Sequence, residues 1–276
     1  MRQKIGIIGI GIVGAPIARY FEEIKGLKRG KNLFLFDTDP AKNFNDDVNQ
    51  ADIVFVSVPT PPSNDGSSDL SALESAFQKL TGNKIAVIRS TVTPGTTENF
   101  QKKYWAHKIL FNPEFLDAKF NWEQFIKPSR QIIGSTTESK NVSGLILSLL
   151  PEAPFKSEIG ATEAELVKYA SNVHYARKVN FVNIIANLAE KLGADYDNIR
   201  QAMAADHRIG NSHLDPNFGG YRGFGGHCLP KDILALTASL EAVGLKEEAD
   251  LIKKDYDYNE KLLKEQGLTW EDIRIK

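Results

Sequence analysis

A single cysteine, Cys228, stands in 276 residues, so no disulfide can close within the chain. That scarcity suits a reducing compartment, and a cytoplasmic protein is expected. No apolar run is long enough to span a bilayer, and Met1-Arg2-Gln3-Lys4 leads straight into a strand-like stretch where a secretory leader would differ. Blocks of one charge are also missing: 34 Lys and Arg stand against 35 Asp and Glu, a formal net charge of -1. This balance argues against nucleic acid or an anionic membrane as the main partner. What is left, with 42% hydrophobic residues, is a soluble globular chain able to bury one large core or two ordinary ones.

The lone cysteine lies in Gly223-Phe224-Gly225-Gly226-His227-Cys228-Leu229-Pro230-Lys231-Asp232. A solitary cysteine is ordinarily a small buried apolar side chain. Here glycines precede it, Lys231 and Asp232 follow it, and Pro230 comes just before the apolar helical run Ile233 to Leu240. A thiol near a helix N-terminus meets partial positive charge that favours thiolate, so the stretch predicts a nucleophile. His227 is a tempting neighbouring base but receives no role.

At the start of the chain the apolar run Ile5 to Ile8 is followed by Gly9-Ile10-Gly11-Ile12-Val13-Gly14 and then a helical pattern through Ile17, Ala18 and Phe21. Strand, glycine turn and helix in this order suit a pyrophosphate at the helix N-terminus. A second strand, Leu33 to Phe36, ends in Asp37, placed to accept from ribose hydroxyls. Asp37 and Asp39 would repel a ribose phosphate, so NAD is predicted over NADP.

Strands and helices go on alternating: Ile53 to Val58, Leu70 to Leu80, Ile85 to Ile88, Thr96 to Trp105, Ile109 to Phe111, Gln131 to Ile133 and Glu138 to Leu150. The expected fold class is α/β, a Rossmann-type doubly wound parallel sheet over 1–157, followed by a helical domain over 158–276. Two strand ends carry unusual punctuation, Val58-Pro59-Thr60-Pro61-Pro62 and Ser90-Thr91-Val92-Thr93-Pro94-Gly95, where ligands bind in such sheets. Thr162 with Glu165 reads as a capping box opening one helix of about 30 residues, roughly 45 Å, to Leu192. On it Lys168 and Asn172 stand at i and i+4, on one face. Two further helices are expected near Ile233 to Ala242 and Lys246 to Glu265.

The glycine turn, Val58-Pro59-Thr60-Pro61, Ser90-Thr91-Val92, Asn112-Pro113-Glu114-Phe115-Leu116, Glu165-Leu166-Val167-Lys168-Tyr169-Ala170-Ser171-Asn172 and Gly223 to Asp232, in this order, resemble the UDP-glucose/GDP-mannose dehydrogenase family, the nucleotide-sugar dehydrogenases. The resemblance implies an NAD-dependent, two-step oxidation of a nucleotide-sugar primary alcohol, a UDP-glucose-like substrate, to the carboxylate. Cys228 would be the nucleophile, with Lys168, Asn172, Thr91, Glu114 and Asp232 at the family's other catalytic positions. Val13, Asp37, Lys42, Thr60, Thr91 and Lys231 match cofactor contacts, and Gly9, Gly11, Ile12, Gly14, Val58, Pro59 and Ser90 join them as candidates. Glu114, Phe115, Leu116, Lys168, Asn172 and Gly225 are the candidates for holding the sugar; no metal is implied. A homodimer through helix 162–192 is expected, with Tyr175, Phe181, Ile184, Ile185 and Leu188 all needing cover.

The residue types agree with this chemistry. Asp232, through a water, suits proton removal from the alcohol, and the aldehyde gains a second departing hydride only after Cys228 adds to it. Lys168 and Asn172 suit the charged oxygen of each tetrahedral stage, and Glu114 the hydrolytic water. Two departures stand out: Ala118 replaces a usual glutamate, and the family's third, nucleotide-holding domain is absent from this sequence. Competing readings are a two-electron dehydrogenase of a smaller hydroxy acid, since the Lys-x-x-x-Asn pair also resembles β-hydroxyacid dehydrogenases, and a non-catalytic NAD-binding module.

Overall fold

Four apolar runs are too short for helices and too continuous for a solvated face, and they become largely buried parallel strands at Ile5–Ile8, Leu33–Phe36, Ile53–Val56 and Ile85–Ile88, the third ending two residues before the expected Val58. The structure, a computed structural model, describes residues 3–63, 66–116, 121–217 and 219–273. By its contacts the chain divides into two compact units, Met1–Pro61 with Ser68–Lys168, and Pro62–Ser67 with Tyr169–Lys276.

In the first unit β1 (Ile5–Ile8) leads through the glycine turn into α1 (Gly14–Arg19), which widens to a π-helical turn over Tyr20–Ile24. Then come β2 (Leu33–Phe36), β3 (Ile53–Val56), α2 (Ser71–Lys79), β4 (Ile85–Ile88), α3 (Thr96–Lys103), β5 (Lys108–Phe111), α4 (Asn121–Ile126), β6 (Arg130–Ser135), α5 (Ser143–Leu149) and β7 (Phe155–Gly160). They form a single seven-stranded sheet in the order β2-β1-β3-β4-β5-β6-β7. Alternate residues feed two cores, one on each face: Ile53 and Phe55 join Ile5, Ile7 and Val87, whereas Val54 and Val56 join Ile8, Ala86 and Ile88.

The expected parallel sheet needs one correction. β6 runs antiparallel to β5, with Phe111 opposite Gly134. The chain leaves the carboxyl end of β5 and re-enters from that same end, so the strand must run back, and β7 then pairs parallel to β6. Gly134 has no room for a side chain, because a Cβ there would lie 2.6 Å from that of Ala164.

α6 (Ala161–Leu192) is 32 residues long and begins in the first unit. The expected Thr162–Glu165 capping box is not formed. Glu163 reaches back to the Gly160 N–H at 2.7 Å instead, while Glu165 caps a different helix. Its carboxylate accepts from Gly95 N–H at 2.6 Å, Thr97 N–H at 2.8 Å and Thr97 Oγ1 at 2.6 Å, satisfying orphan donors at the start of α3.

The second unit contains the rest of α6 with α7 (Tyr196–Ala205), α8 (Cys228–Ala242) and α9 (Lys246–Glu265). Its core gathers Val173, Ala176, Val179, Phe224 and Ile233, with Tyr256 and Trp270 packed against them. α8 begins at Cys228 and not at Ile233, since Pro230 sits within the first turn, where a missing N–H costs no hydrogen bond. Among the described residues no helix is long and apolar enough to cross a membrane.

Burial pushes the Glu165 carboxyl up to about 7, against the hydrogen bonds from Thr97 and Gly95. A carboxyl raised in the folded chain contributes stability below its ordinary unfolded pKa and loses that contribution as pH rises through the folded value. Glu165→Gln removes the titration. Melting midpoints measured from about pH 5 to 8 are therefore expected to fall further for the unmodified chain than for the variant. Parallel curves would refute the assignment.

Candidate functional site

The turn after β1 shows why glycines occupy it. Gly9 has φ +87°, and a Cβ there would lie 2.4 Å from the Ser57 carbonyl oxygen; at Gly14 a Cβ would lie 1.9 Å from the Gly9 carbonyl oxygen. At Gly11, by contrast, a Cβ would meet nothing within 4 Å, so that position faces open space where a ligand's backbone-close group fits. Ile12 is exposed and Val13 is half-buried beside it. Ser57, which sequence reading missed, packs against this turn with a buried hydroxyl that has no hydrogen-bond partner among the described residues.

Asp37 closes the other side of the turn. Its Oδ2 accepts from Ile10 N–H at 2.7 Å and from Lys42 Nζ at 2.8 Å, and its Oδ1 from Asp39 N–H at 2.9 Å. Burial works to raise this carboxyl, but the Lys42 hydrogen bond and the two backbone donors outweigh it and hold the group below the usual carboxylate range. Lys42 reaches it from a short 3₁₀ turn, Pro40–Lys42, capped by the Asp39 side chain. The next two strand ends are laced together: Thr60 Oγ1 donates to the Thr91 carbonyl and Ser90 Oγ to the Val58 carbonyl, both at 2.6 Å, with Pro59 exposed between Val58 and Thr60. Open space beside Gly11 and a carboxylate at the end of the second strand fit a dinucleotide.

A second cluster of the same unit forms around Glu114. Lys168 Nζ donates to Glu114 Oε1 at 2.8 Å and to its carbonyl at 2.7 Å, and Leu116 N–H donates to Oε2 at 2.9 Å. Both charges are almost fully buried. Burial alone would raise the Glu114 carboxyl; the Lys168 charge and hydrogen bond, the Leu116 N–H and Arg89 reverse this and hold it low. Phe115 stacks under the Arg130 guanidinium at 3.6 Å, with Lys168 5.7 Å from the same ring. Arg89, also missed in the sequence, is buried behind this group and bonded to Asn112 Oδ1, and burial brings its guanidinium down to about 10. Its place directly before Ser90-Thr91-Val92 was the available signal. Ala118 lies outside the described residues.

The second unit holds the remaining candidates. Cys228 is exposed as the first residue of α8, and Asp232 follows one turn later with no exposed surface. Asn172 Nδ2 donates to Asp232 Oδ2 at 2.5 Å, and Lys231 Nζ to Oδ1 at 2.6 Å. His227 is exposed and makes no side-chain cap. Gly225 packs closely under the Tyr221 side chain, whose hydroxyl oxygen would lie 2.1 Å from a Cβ there.

Comparison with known families places the chain. Residues 31–147 match the NAD binding domain of the UDP-glucose/GDP-mannose dehydrogenase family, and residues 162–261 match its central domain. The chain belongs to this family. NAD is accordingly the cofactor of the first unit. UDP-glucose 6-dehydrogenase of Rickettsia bellii is 36% identical over 210 residues, 72% of this chain and 47% of the relative. UDP-glucose 6-dehydrogenase TuaD of Bacillus subtilis is 31% identical, the match taking in 94% of this chain and 63% of that protein. Among solved structures, a UDP-glucose dehydrogenase from Pyrobaculum islandicum superposes with a TM-score of 0.81 at 29% identity, over 96% of this chain and 71% of that one. The chain thus spans about half the length of the Rickettsia dehydrogenase it matches.

Asp37 carries the cofactor prediction. Titrations are expected to show NAD bound more tightly than NADP, and Asp37→Ala to narrow the gap, because the change deletes the negative charge and leaves Lys42 without this partner to meet a phosphate. Equal affinities in the unmodified chain would sink the assignment.

Proposed function

We propose that the chain is the catalytic part of an NAD-dependent nucleotide-sugar dehydrogenase, oxidising the primary alcohol of a UDP-glucose-like sugar to the uronate in two hydride transfers. Residues 1–157 are read as the NAD-binding domain and 158–276 as the helical central domain. The product is of the class used in polysaccharide assembly, and a cytoplasmic setting goes with it. The observation that carries the reading is the arrangement on α8: an exposed Cys228 opening the helix, and one turn on a buried Asp232 whose carboxylate is engaged by Asn172 and Lys231.

NAD, when bound by the first unit, accepts the hydride released in each oxidation. Gly9, Gly11, Ile12, Val13 and Gly14 would hold its pyrophosphate, Asp37 its ribose, and Val58, Pro59, Thr60, Ser90, Thr91, Lys42 and Lys231 its remaining contacts. Asp232 takes the proton of the alcohol through a water as the carbon–hydrogen bond breaks. Cys228 Sγ then adds to the aldehyde carbon, giving a thiohemiacetal; loss of its hydrogen as hydride leaves a thioester, and water cleaves this to carboxylate and the free thiol. Lys168 and Asn172 donate to the charged oxygen, Thr91 assists at the same centre, and Glu114 orients the hydrolytic water. Phe115, Leu116 and Gly225 contact the sugar. The full Cys228 motif favours this over a two-electron hydroxy-acid dehydrogenase, whose chemistry needs no thiol.

The chain is further proposed to work as a homodimer built on α6. Supporting this, Phe181, Ile184 and Leu188 stay about half exposed, and Phe181 and Ile184 with Leu251 of α9 edge a groove of about 630 Å³. Tyr175, by contrast, finds cover within its own unit under the His213 ring, 4.5 Å between centroids. Light scattering at micromolar concentration is expected to give twice the chain mass, and Phe181→Glu to give one. A monomeric unmodified chain would refute the dimer.

Replacing Cys228 tests the chemistry. Cys228→Ser keeps a nucleophile of similar shape that stays protonated at neutral pH, so its adduct forms poorly and its ester hydrolyses slowly. NAD and substrate binding are expected to persist, carboxylate formation to collapse, and aldehyde or an ester adduct to appear by intact mass. Two NADH per sugar at the unmodified rate would make Cys228 a structural thiol.

A further inference from the structure

The approach to Cys228 is held as if it were the edge of a sheet, with side-chain amides in place of a strand. A carboxamide offers one acceptor and one donor group, so it can answer the N–H and the C=O of a single residue together. Asn259 on α9 does this to Phe224: its Oδ1 accepts from Phe224 N–H at 2.7 Å and its Nδ2 donates to the Phe224 carbonyl at 2.8 Å. Two residues earlier, Gln266 does the same to Arg222, accepting at 2.8 Å and donating at 2.9 Å.

The surroundings leave this clamp no slack. Asn259 has no exposed surface and Phe224 is buried. Gly223 sits at φ +106°, and a Cβ there would lie 2.5 Å from Asn259 Oδ1, so glycine lets the amide come this close. Further on, Gly226 N–H donates to the Ile273 carbonyl at 3.2 Å, and Cys228 follows as the first residue of α8. Phe224, gripped at both its backbone groups, is the last point fixed by α9 before the thiol.

We infer that Asn259 is a positioning residue for Cys228: its grip on Phe224 sets where the segment Gly225–Cys228 enters α8, and with it where the thiol stands. This rests on the reading of Cys228 as the nucleophile, but the test separates the two. The probe is iodoacetamide, with the rate of Cys228 alkylation followed by intact mass across pH, alongside kcat and KM for NAD with UDP-glucose and the far-UV circular dichroism of each variant.

Asn259→Ala, where the dichroism is retained, is expected to move the pH midpoint of alkylation and to lower kcat by about tenfold or more, with KM for NAD within about twofold, as for a misplaced reacting group. Gln266→Ala, at the exposed end of α9, is expected to shift alkylation in the same direction by less, and it carries the test should Asn259→Ala fail to fold. Asn259→Asp supplies the rescue. Its ionised carboxylate faces the Phe224 carbonyl with no proton to give, whereas the protonated form restores the donor, so alkylation relative to the unmodified chain is expected to recover as pH falls. Folded variants with unchanged alkylation profiles and unchanged kcat would overturn the inference. A fully active Cys228→Ser would overturn the functional reading while leaving the alkylation comparison intact.

Discussion

The buried ion pair between Lys168 and Glu114 sets the terms for the first unit. An ammonium and a carboxylate removed from water each cost several kcal/mol, and their mutual attraction offsets this only when the remaining hydrogen-bonding capacity is also met. Here it is met on the Glu114 side by Leu116 N–H and on the Lys168 side by the Glu114 carbonyl. The pair therefore dictates the path of the loop after β5 as well as the seating of the first turns of α6, where Glu165 adds its own tie to the start of α3. Removing one partner would leave an uncompensated charge, a loss on the order of 3–5 kcal/mol. Substitutions at Glu114 or Lys168 thus act first on the folding of this unit.

Much of the fold was legible because its strands are buried on both faces. β1, β2 and β4 fall where continuous Ile, Leu, Val and Phe runs placed them, and the glycine turn follows from backbone contacts that only glycine permits. β7 was not legible. Phe155-Lys156-Ser157-Glu158-Ile159-Gly160 lies at the sheet edge, mostly exposed, and shows no apolar run. The direction of β6 was equally hidden, since strand polarity is a property of the connection and leaves no periodicity in the strand itself. At α6 a local rule pointed to the wrong residue: Glu165 has the spacing of a capping box with Thr162, but its three donors lie about 70 positions away in sequence.

For the candidate site, the residue types with chemistry were readable and their supports were not. Lys168, Asn172, Cys228 and Asp232 are singled out in the sequence by the motifs that carry the family resemblance. Asn259 sits in a helix whose sequence is dense with Lys, Asp and Glu, and there an asparagine reads as one more solvated polar residue. Only the fold shows that it faces inward onto Phe224. Ser57 and Arg89 were overlooked for a related reason, because a buried polar atom is defined by what surrounds it and not by its neighbours in sequence.

The placement of Lys168 and Asn172 on one helix has an energetic consequence. Spacing of i and i+4 sets the two side chains on a common face, but a long lysine free in water would lose rotamer entropy each time a ligand fixed it. In this chain both tips are already fixed, each by a carboxylate of its own unit: Glu114 lies 54 positions before Lys168, and Asp232 lies 60 positions after Asn172. The long-range contacts that close these two pairs are the same ones that seat the β5 loop and α8. The ordering cost of each tip is therefore met when its own unit folds. A shorter, locally closed pair such as Arg200 with Asp197 on α7 could not do this, because its exposed ion pair leaves both side chains free to part in water.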